Sequence, residues 1–137
     1  MNALFDLKDK VAIVTGGSRG IGKAICERLA QHGAKVVVSS RKLDACAEVV
    51  RGIRANGGEA VAHACNIGHK EQLRQLVDFT NGHYGGIDVL VCNAAVNPYF
   101  GPSAGTPDEA FDRVMGSNVK SNFWLANMAI PHMIARG

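Results

Sequence analysis

The feature that most constrains this chain is the glycine-rich turn near its amino end, Thr15-Gly16-Gly17-Ser18-Arg19-Gly20-Ile21-Gly22. It follows Val11 to Thr15, a compact apolar run without polar alternation, which is the pattern of a parallel strand covered on both faces. Beyond Gly20 the period changes. Ile21, Ala24, Ile25, Leu29 and His32 recur at helical spacing, and Gly33 stops the segment. Glycines in such a turn permit positive φ and let backbone N–H groups approach a diphosphate, while the helix that begins there turns its positive dipole end toward the charge. The spacing is T-G-x-x-x-G-x-G and not the commoner G-x-G-x-x-G. A glycine-rich turn alone can be only a turn; framed by a strand and a helix, it predicts a dinucleotide site.

The rest of the chain repeats that alternation. Lys35 to Ser39 reads as a second buried strand, and Leu43, Cys46, Val50 and Ile53 mark a second helix stopped by Gly57-Gly58. Ala60 to Cys65 reads as a third strand. Leu73, Leu76, Val77 and Tyr84 give a third helix ending at Gly85-Gly86, and Ile87 to Cys92 is a fourth strand. Repeated strand–helix–strand units predict an α/β fold, a Rossmann-type doubly wound parallel sheet of about four strands with helices on both faces. No linker or second composition appears, so residues 1–137 are read as one domain.

After a loop from Asn97 to Gly105, Thr106-Pro107-Asp108-Glu109 has the form of a helix start, with Thr106 as cap, Pro107 at the first position and Glu109 completing a capping box. The helix runs toward Arg136 with an interruption expected at Gly116 to Asn118. Val119, Phe123, Trp124, Met128, Ile130 and Ile134 spread around it, so it needs a partner on more than one face.

Composition excludes several classes. Fifteen basic residues stand against twelve acidic ones, dispersed and with few aromatics, so no nucleic-acid partner is expected. No apolar stretch approaches membrane-spanning length, and charges within Met1 to Lys10 break any signal-peptide core. Cys26, Cys46, Cys65 and Cys92 form no C-x-x-C pair and read as buried, reduced thiols of a cytoplasmic protein. His63, Cys65 and His69 are close in sequence, but they span a strand end and a helix start, so no metal site is expected.

With T-G-x-x-x-G-x-G in that setting, Asn93-Ala94-Ala95 after the fourth strand and Asn118 in the later helix, the whole chain resembles the N-terminal half of the short-chain dehydrogenases/reductases. The stretch Asn93 to Pro102 further resembles carbonyl-reductase-like members. The resemblance implies an oxidoreductase acting on a small-molecule carbonyl or alcohol. It assigns the cofactor to Gly16, Ser18, Arg19, Gly20, Ile21, Gly22, Ser40, Arg41, Asn66, Ile67, Asn93, Ala94 and Ala95. Three positions depart from the family pattern. Ala95 stands for glycine, Cys92 for asparagine, and Asn66 for the aspartate that touches adenine; the Asn66 amide keeps a carbonyl and adds two donors.

Charge bears on which cofactor is expected. A ribose 2′-hydroxyl is met by an acid at the tip of the second strand, whereas a 2′-phosphate needs cations. The strand ends Ser39-Ser40-Arg41, with Ser40 where the acid would be and Asp44 further on, in the next helix. Arg41 with Arg19 from the glycine turn therefore favours NADP(H) over NAD(H).

The family's chemistry requires a tyrosine to protonate the carbonyl, a lysine four residues later to lower its pKa, and an upstream serine. Four residues after Tyr84 is Asp88, and four after Tyr99 is Ser103, so the pair is absent from these residues. The expectation is the cofactor-binding part of a longer enzyme, inactive alone; a non-catalytic nucleotide-binding module and an inert fragment remain open. Asn118 would hold a relay water in the family, or else be a polar residue at a helix break satisfied by backbone. Tyr99 and Phe100 would line a pocket wall or pack locally. The family's subunit packing implies a homo-oligomer through Val119 to Ile134.

Overall fold

The computed structural model describes residues 3–137. Met1 and Asn2, at the head of the stretch read as no signal peptide, lie outside the described residues. Four strands, β1 (Val11–Thr15), β2 (Lys35–Ser40), β3 (Glu59–Ala64) and β4 (Val89–Val91), form one parallel sheet in the order β3-β2-β1-β4. Strands added on one side of β1 are followed by a strand on its other side. That reversal leaves a crevice at the strands' carboxyl ends beside β1.

Alternation along the strands divides the core between two faces. Val14, Val36 and Val38 meet Cys26 and Ala30 of α1 (Gly20–Gln31) and Cys46, Val49, Val50 and Ile53 of α2 (Leu43–Ala55). Ile13 and Val37 meet Leu73, Leu76 and Val77 of α3 (Lys70–Tyr84) on the opposite face, with Leu125 and Ala129 from the C-terminal helix. Each Val, Leu or Ile among them contributes roughly 1.5–3 kcal/mol by leaving water. The α3 helix stops at Gly85, whose left-handed backbone (φ 78°) directs its N–H back to the Asn81 carbonyl at 2.8 Å.

Three expectations change here. The capping box does not form: α4 spans Asp108–Val114, Pro107 occupies the cap position, and no side chain caps it. The Thr106 N–H instead closes the short turn Ser103–Gly105 onto the Ser103 carbonyl at 3.1 Å, which moves the helix start along the chain. Near Gly116 the helix widens without breaking: Met115–Lys120 is π-helical and continues into α5 (Ser121–Arg136). Ser121 Oγ donates to the Gly116 carbonyl at 2.9 Å, and Asn122 Nδ2 to that of Asn118 at 2.9 Å, so side chains serve carbonyls in the widened turn. Finally, β4 keeps only three residues and is a sheet edge, and Cys92 just beyond it is exposed, not buried. Cys26, Cys46 and Cys65 are buried as expected.

At the strands' amino ends Asp88 closes the sheet. Its carboxylate accepts the Val11 N–H at 2.8 Å and the Arg136 guanidinium at 3.0 Å, and Arg136 also donates to the Asp9 carbonyl at 3.1 Å. Along the outer side of the long C-terminal helical stretch, Phe111, Met115, Val119, Phe123, Ile130 and Ile134 are exposed.

Candidate cofactor-binding site

The loops at the strands' carboxyl ends enclose a cleft of about 750 Å³, inside the roughly 300–1,000 Å³ range of small-molecule sites. Its centre is the β1–α1 turn. Gly16 has φ +64°, and a Cβ there would come within 2.8 Å of Asn93 Nδ2. A Cβ on Gly22 would run into the Gly16 carbonyl, so two backbone segments touch where no side chain fits. Thr15 Oγ1 accepts the N–H groups of Asn93 (3.1 Å) and Ala94 (3.0 Å), and Asn93 Nδ2 donates to the Gly16 carbonyl at 3.1 Å. The turn is thereby tied to the loop after β4. Arg19 stands at the α1 cap with extended backbone, no side chain caps the helix, and no acid occupies its first turn. Such an end has N–H groups suited to an anion.

From β2, Ser39, Ser40, Arg41 and Lys42 line the cleft. The Ser40 hydroxyl is engaged locally, accepting the Lys42 N–H at 3.2 Å and hydrogen-bonding Cys46 Sγ at 3.1 Å. Ser39 is 1% exposed, and its Oγ has no hydrogen-bond partner. Asp44 lies in the first turn of α2, as its spacing implied, and is not among the lining residues. From the β3 side come Cys65, Asn66, Ile67, Gly68 and His69. Asn66 builds its own turn: its N–H donates to Gln72 Oε1 at 2.7 Å, and its Oδ1 accepts the Gly68 N–H at 2.9 Å. Burial pushes the Cys65 thiol up to about 11.

The β4 side supplies Asn93, Ala94, Ala95 and Val96. Ser18, Gly20 and Ile21 complete the set, so every residue read from sequence as cofactor-binding lies on this one cleft. Asn118 does not line it. Its Oδ1 accepts the Val96 N–H at 2.8 Å, and its Nδ2 donates to the Val96 carbonyl at 2.9 Å. The side chain therefore pins the loop after β4 to the π-helical turn. Tyr99 and Phe100 are not on the cleft either: Tyr99 donates to the Pro102 carbonyl at 3.1 Å, and Phe100 is exposed.

Sequence reading missed Lys42, Arg113, Ser117, His69 and Ser39 as lining residues. Lys42 directly follows Arg41, and the same charge reasoning reaches it. Arg113 and Ser117 share a helix face at i, i+4, but nothing local says that this face overhangs the sheet. All the Lys, Arg, Asp and Glu side chains on the cleft are basic: Arg19, Arg41, Lys42 and Arg113. No cluster able to hold a metal occurs among the described residues. The backbone cradle at Gly16 and Gly22, the uncapped α1 terminus and the basic rim together fit a dinucleotide cofactor.

A short chain dehydrogenase family model matches residues 10–137. Dehydrogenase/reductase SDR family member 4 of Oryctolagus cuniculus is 42% identical over 131 residues, which cover 96% of this chain and 50% of that protein. The structure of a metagenomic short-chain oxidoreductase in complex with NADP superposes with a TM-score of 0.88 at 38% identity, over 95% of this chain and 59% of that one. A hydroxysteroid dehydrogenase from Escherichia coli gives a TM-score of 0.90 at 38% identity, over 97% and 56%. The chain spans about half the length of the curated relatives it matches. On this fold, this cleft and these matches, the chain belongs to the short-chain dehydrogenase/reductase family.

Proposed function

We propose that residues 1–137 are the cofactor-binding part of an NADP(H)-dependent oxidoreductase that interconverts a carbonyl and an alcohol. The observation that carries this reading is the cleft's charge: Arg19, Arg41 and Lys42 line it, and no carboxylate does. A 2′-phosphate needs such cations, and a 2′-hydroxyl is ordinarily met by an acid. A bound nicotinamide cofactor supplies or accepts the hydride. The chain's own work is to bind and orient it. The uncapped α1 terminus and the Gly16–Gly22 turn receive the diphosphate, Arg19 and Arg41 the 2′-phosphate, Asn66 and Ile67 the base, and Asn93 to Ala95 the remainder. Titration of the 137-residue chain with NADP⁺ and NAD⁺ tests this. Tighter NADP⁺ binding is expected, and a tighter NAD⁺ complex overturns the assignment.

No Tyr-x-x-x-Lys occurs within these residues, so the proton donor of the proposed reaction belongs to a longer protein. The purified 137-residue chain is expected to bind cofactor without turnover, and detectable turnover would refute that division of labour. A second reading, a non-catalytic nucleotide-binding module, is favoured by the same missing pair beside an intact cleft. Coding sequence after Gly137 that continues into Tyr-x-x-x-Lys decides for the enzyme.

The substrate proposed is a small carbonyl or alcohol, without nucleic acid or membrane as partner; no helix among the described residues is long and apolar enough to cross a membrane. The exposed Val119, Phe123, Ile130 and Ile134 support a homo-oligomer through the C-terminal helix, and a monodisperse monomer by light scattering would count against it. Four unpaired thiols support a cytoplasmic location, which cell fractionation tests.

A further inference from the structure

The sheet ends on one side at β4, with three residues, and on the other at β3, with six. An edge strand presents N–H and C=O groups on which another strand can form. Two bonds fix which groups β3 presents. The Cys65 N–H, just past the strand, donates to the Ser40 carbonyl of β2 at 2.9 Å. Counting back by twos, His63, Val61 and Glu59 also bond inward, and Ala60, Ala62 and Ala64 turn their N–H and C=O groups outward. The second bond agrees. Arg54 Nε, reaching from the last turn of α2, donates to the Ala60 carbonyl at 3.1 Å. The guanidinium of an exposed side chain thus lies along an edge whose outward residues are all alanine.

This edge is complementary to itself. Turned antiparallel about Ala62, a second copy would set Ala62 against Ala62 and Ala60 against Ala64, each through outward groups. No bulky side chain stands at those positions. We propose that Arg54 guards the outer side of β3 against strand addition by a second copy of this chain. It occupies the Ala60 carbonyl that such a strand needs, and pairing must strip one guanidinium from each copy. A cation at a strand edge is a usual protection against edge-to-edge pairing. Neither Arg54 nor any residue of β3 lines the cofactor cleft, so the guard works independently of any cofactor.

Hydrogen exchange of single amides, read by NMR on the 137-residue chain at low and high concentration, tests the guard. Arg54→Met removes the donor and the charge but keeps an aliphatic stem, so the fold is expected to survive. In the native chain the Ala62 and Ala64 amides should exchange at rates independent of concentration. In Arg54→Met both should slow by about tenfold or more at high concentration, as their N–H groups enter a strand pair. Association through the C-terminal helix leaves both amides facing solvent. Adding Ala64→Pro deletes the N–H that meets Ala60 of the second copy and spares the inward bonds, since proline is tolerated on an edge strand whose N–H faces solvent. The concentration dependence at Ala62 should then vanish. Unchanged Ala62 exchange in Arg54→Met, or slowing that survives Ala64→Pro, overturns the proposal. So does a native chain whose Ala62 amide is itself protected as concentration rises.

Discussion

The two ends of the sheet are made from the same four strands and are opposites. At the amino ends, Asp88 gathers the Val11 N–H, the Arg136 guanidinium and, through Arg136, the Asp9 carbonyl, closing that edge with charge-assisted bonds. At the carboxyl ends the cations have no acidic neighbours on the cleft, the Ser39 hydroxyl has no partner, and α1 begins without a cap. The clamp holds the fold together, while the uncapped helix end and the cations on the cleft are available to a ligand. The difference teaches where to look for function in residues that hold no Tyr-x-x-x-Lys: at the end whose cations and helix terminus are unanswered.

The largest expected effect comes from filling the cradle. A Cβ at Gly22 meets the Gly16 carbonyl, so Gly22→Ala is expected to lower stability by about 3 kcal/mol in urea unfolding, the upper part of the overpacking range. Affinity for NADP⁺ should fall with it. An unchanged unfolding midpoint would mean that the turn shifts freely and that the close approach is not what holds it. Next in size, Arg41→Ala should weaken NADP⁺ binding roughly 10- to 150-fold, the loss of one charge-assisted contact of about 1.5–3 kcal/mol. NAD⁺ binding should change by no more than about twofold. Equal losses for both cofactors would move Arg41 from the 2′-phosphate to the diphosphate.

The closed end predicts a smaller effect of a different kind. Asp88→Asn should cost about 1 kcal/mol of stability and leave both cofactor affinities as they were. The Arg136 hydrogen bond holds the Asp88 carboxyl below its ordinary range, with the Val11 N–H adding to it against some desolvation. A depressed folded-state pKa stabilises above the ordinary carboxylate range, and the stabilisation is lost as pH falls through the folded value. Unfolding of the native chain and of Asp88→Asn should therefore differ near neutrality and converge in acid. A gap that persists or widens in acid would show that Asp88 acts through packing and not through its charge.

Much of the open end was legible in the sequence, and almost none of the closed end was. The glycine turn declared itself because its requirements are local: an apolar run before it, a helical period after it, and glycine where a Cβ cannot fit. Ser40, Arg41 and Asn66 followed because each sits at the tip of a strand whose position the alternation had given. The Asp88–Arg136 clamp joins residues 48 positions apart, and no periodicity encodes which charge a helix end will meet. The same limit hid the pairing of Asn118 with Val96, 22 residues away. It also hid the reach of Arg113 and Ser117 over the cleft. The missed cap at Thr106 is a case of competition: a short turn used the residue first, and a local pattern cannot rank two local claims.

Cys92 tests the boundary between the regions with the least energy at stake. Cys26, Cys46 and Cys65 are buried, and burial raises all three thiols, Cys26 to about 12 and Cys65 to about 11. Cys92 lies past the end of the edge strand and is exposed, although partial desolvation raises its thiol as well. Thiolate supply slows its reaction relative to a free cysteine, and access speeds it relative to the other three. With an aromatic disulfide reagent, the native 137-residue chain should release one equivalent of thiolate, and three more only on unfolding. Cys92 does not line the cleft, whereas Cys65 does, so saturating NADP⁺ should leave the first equivalent's rate unchanged. Protection of that equivalent would extend the open end past β4, to a cofactor that reaches beyond the residues now lining the cleft.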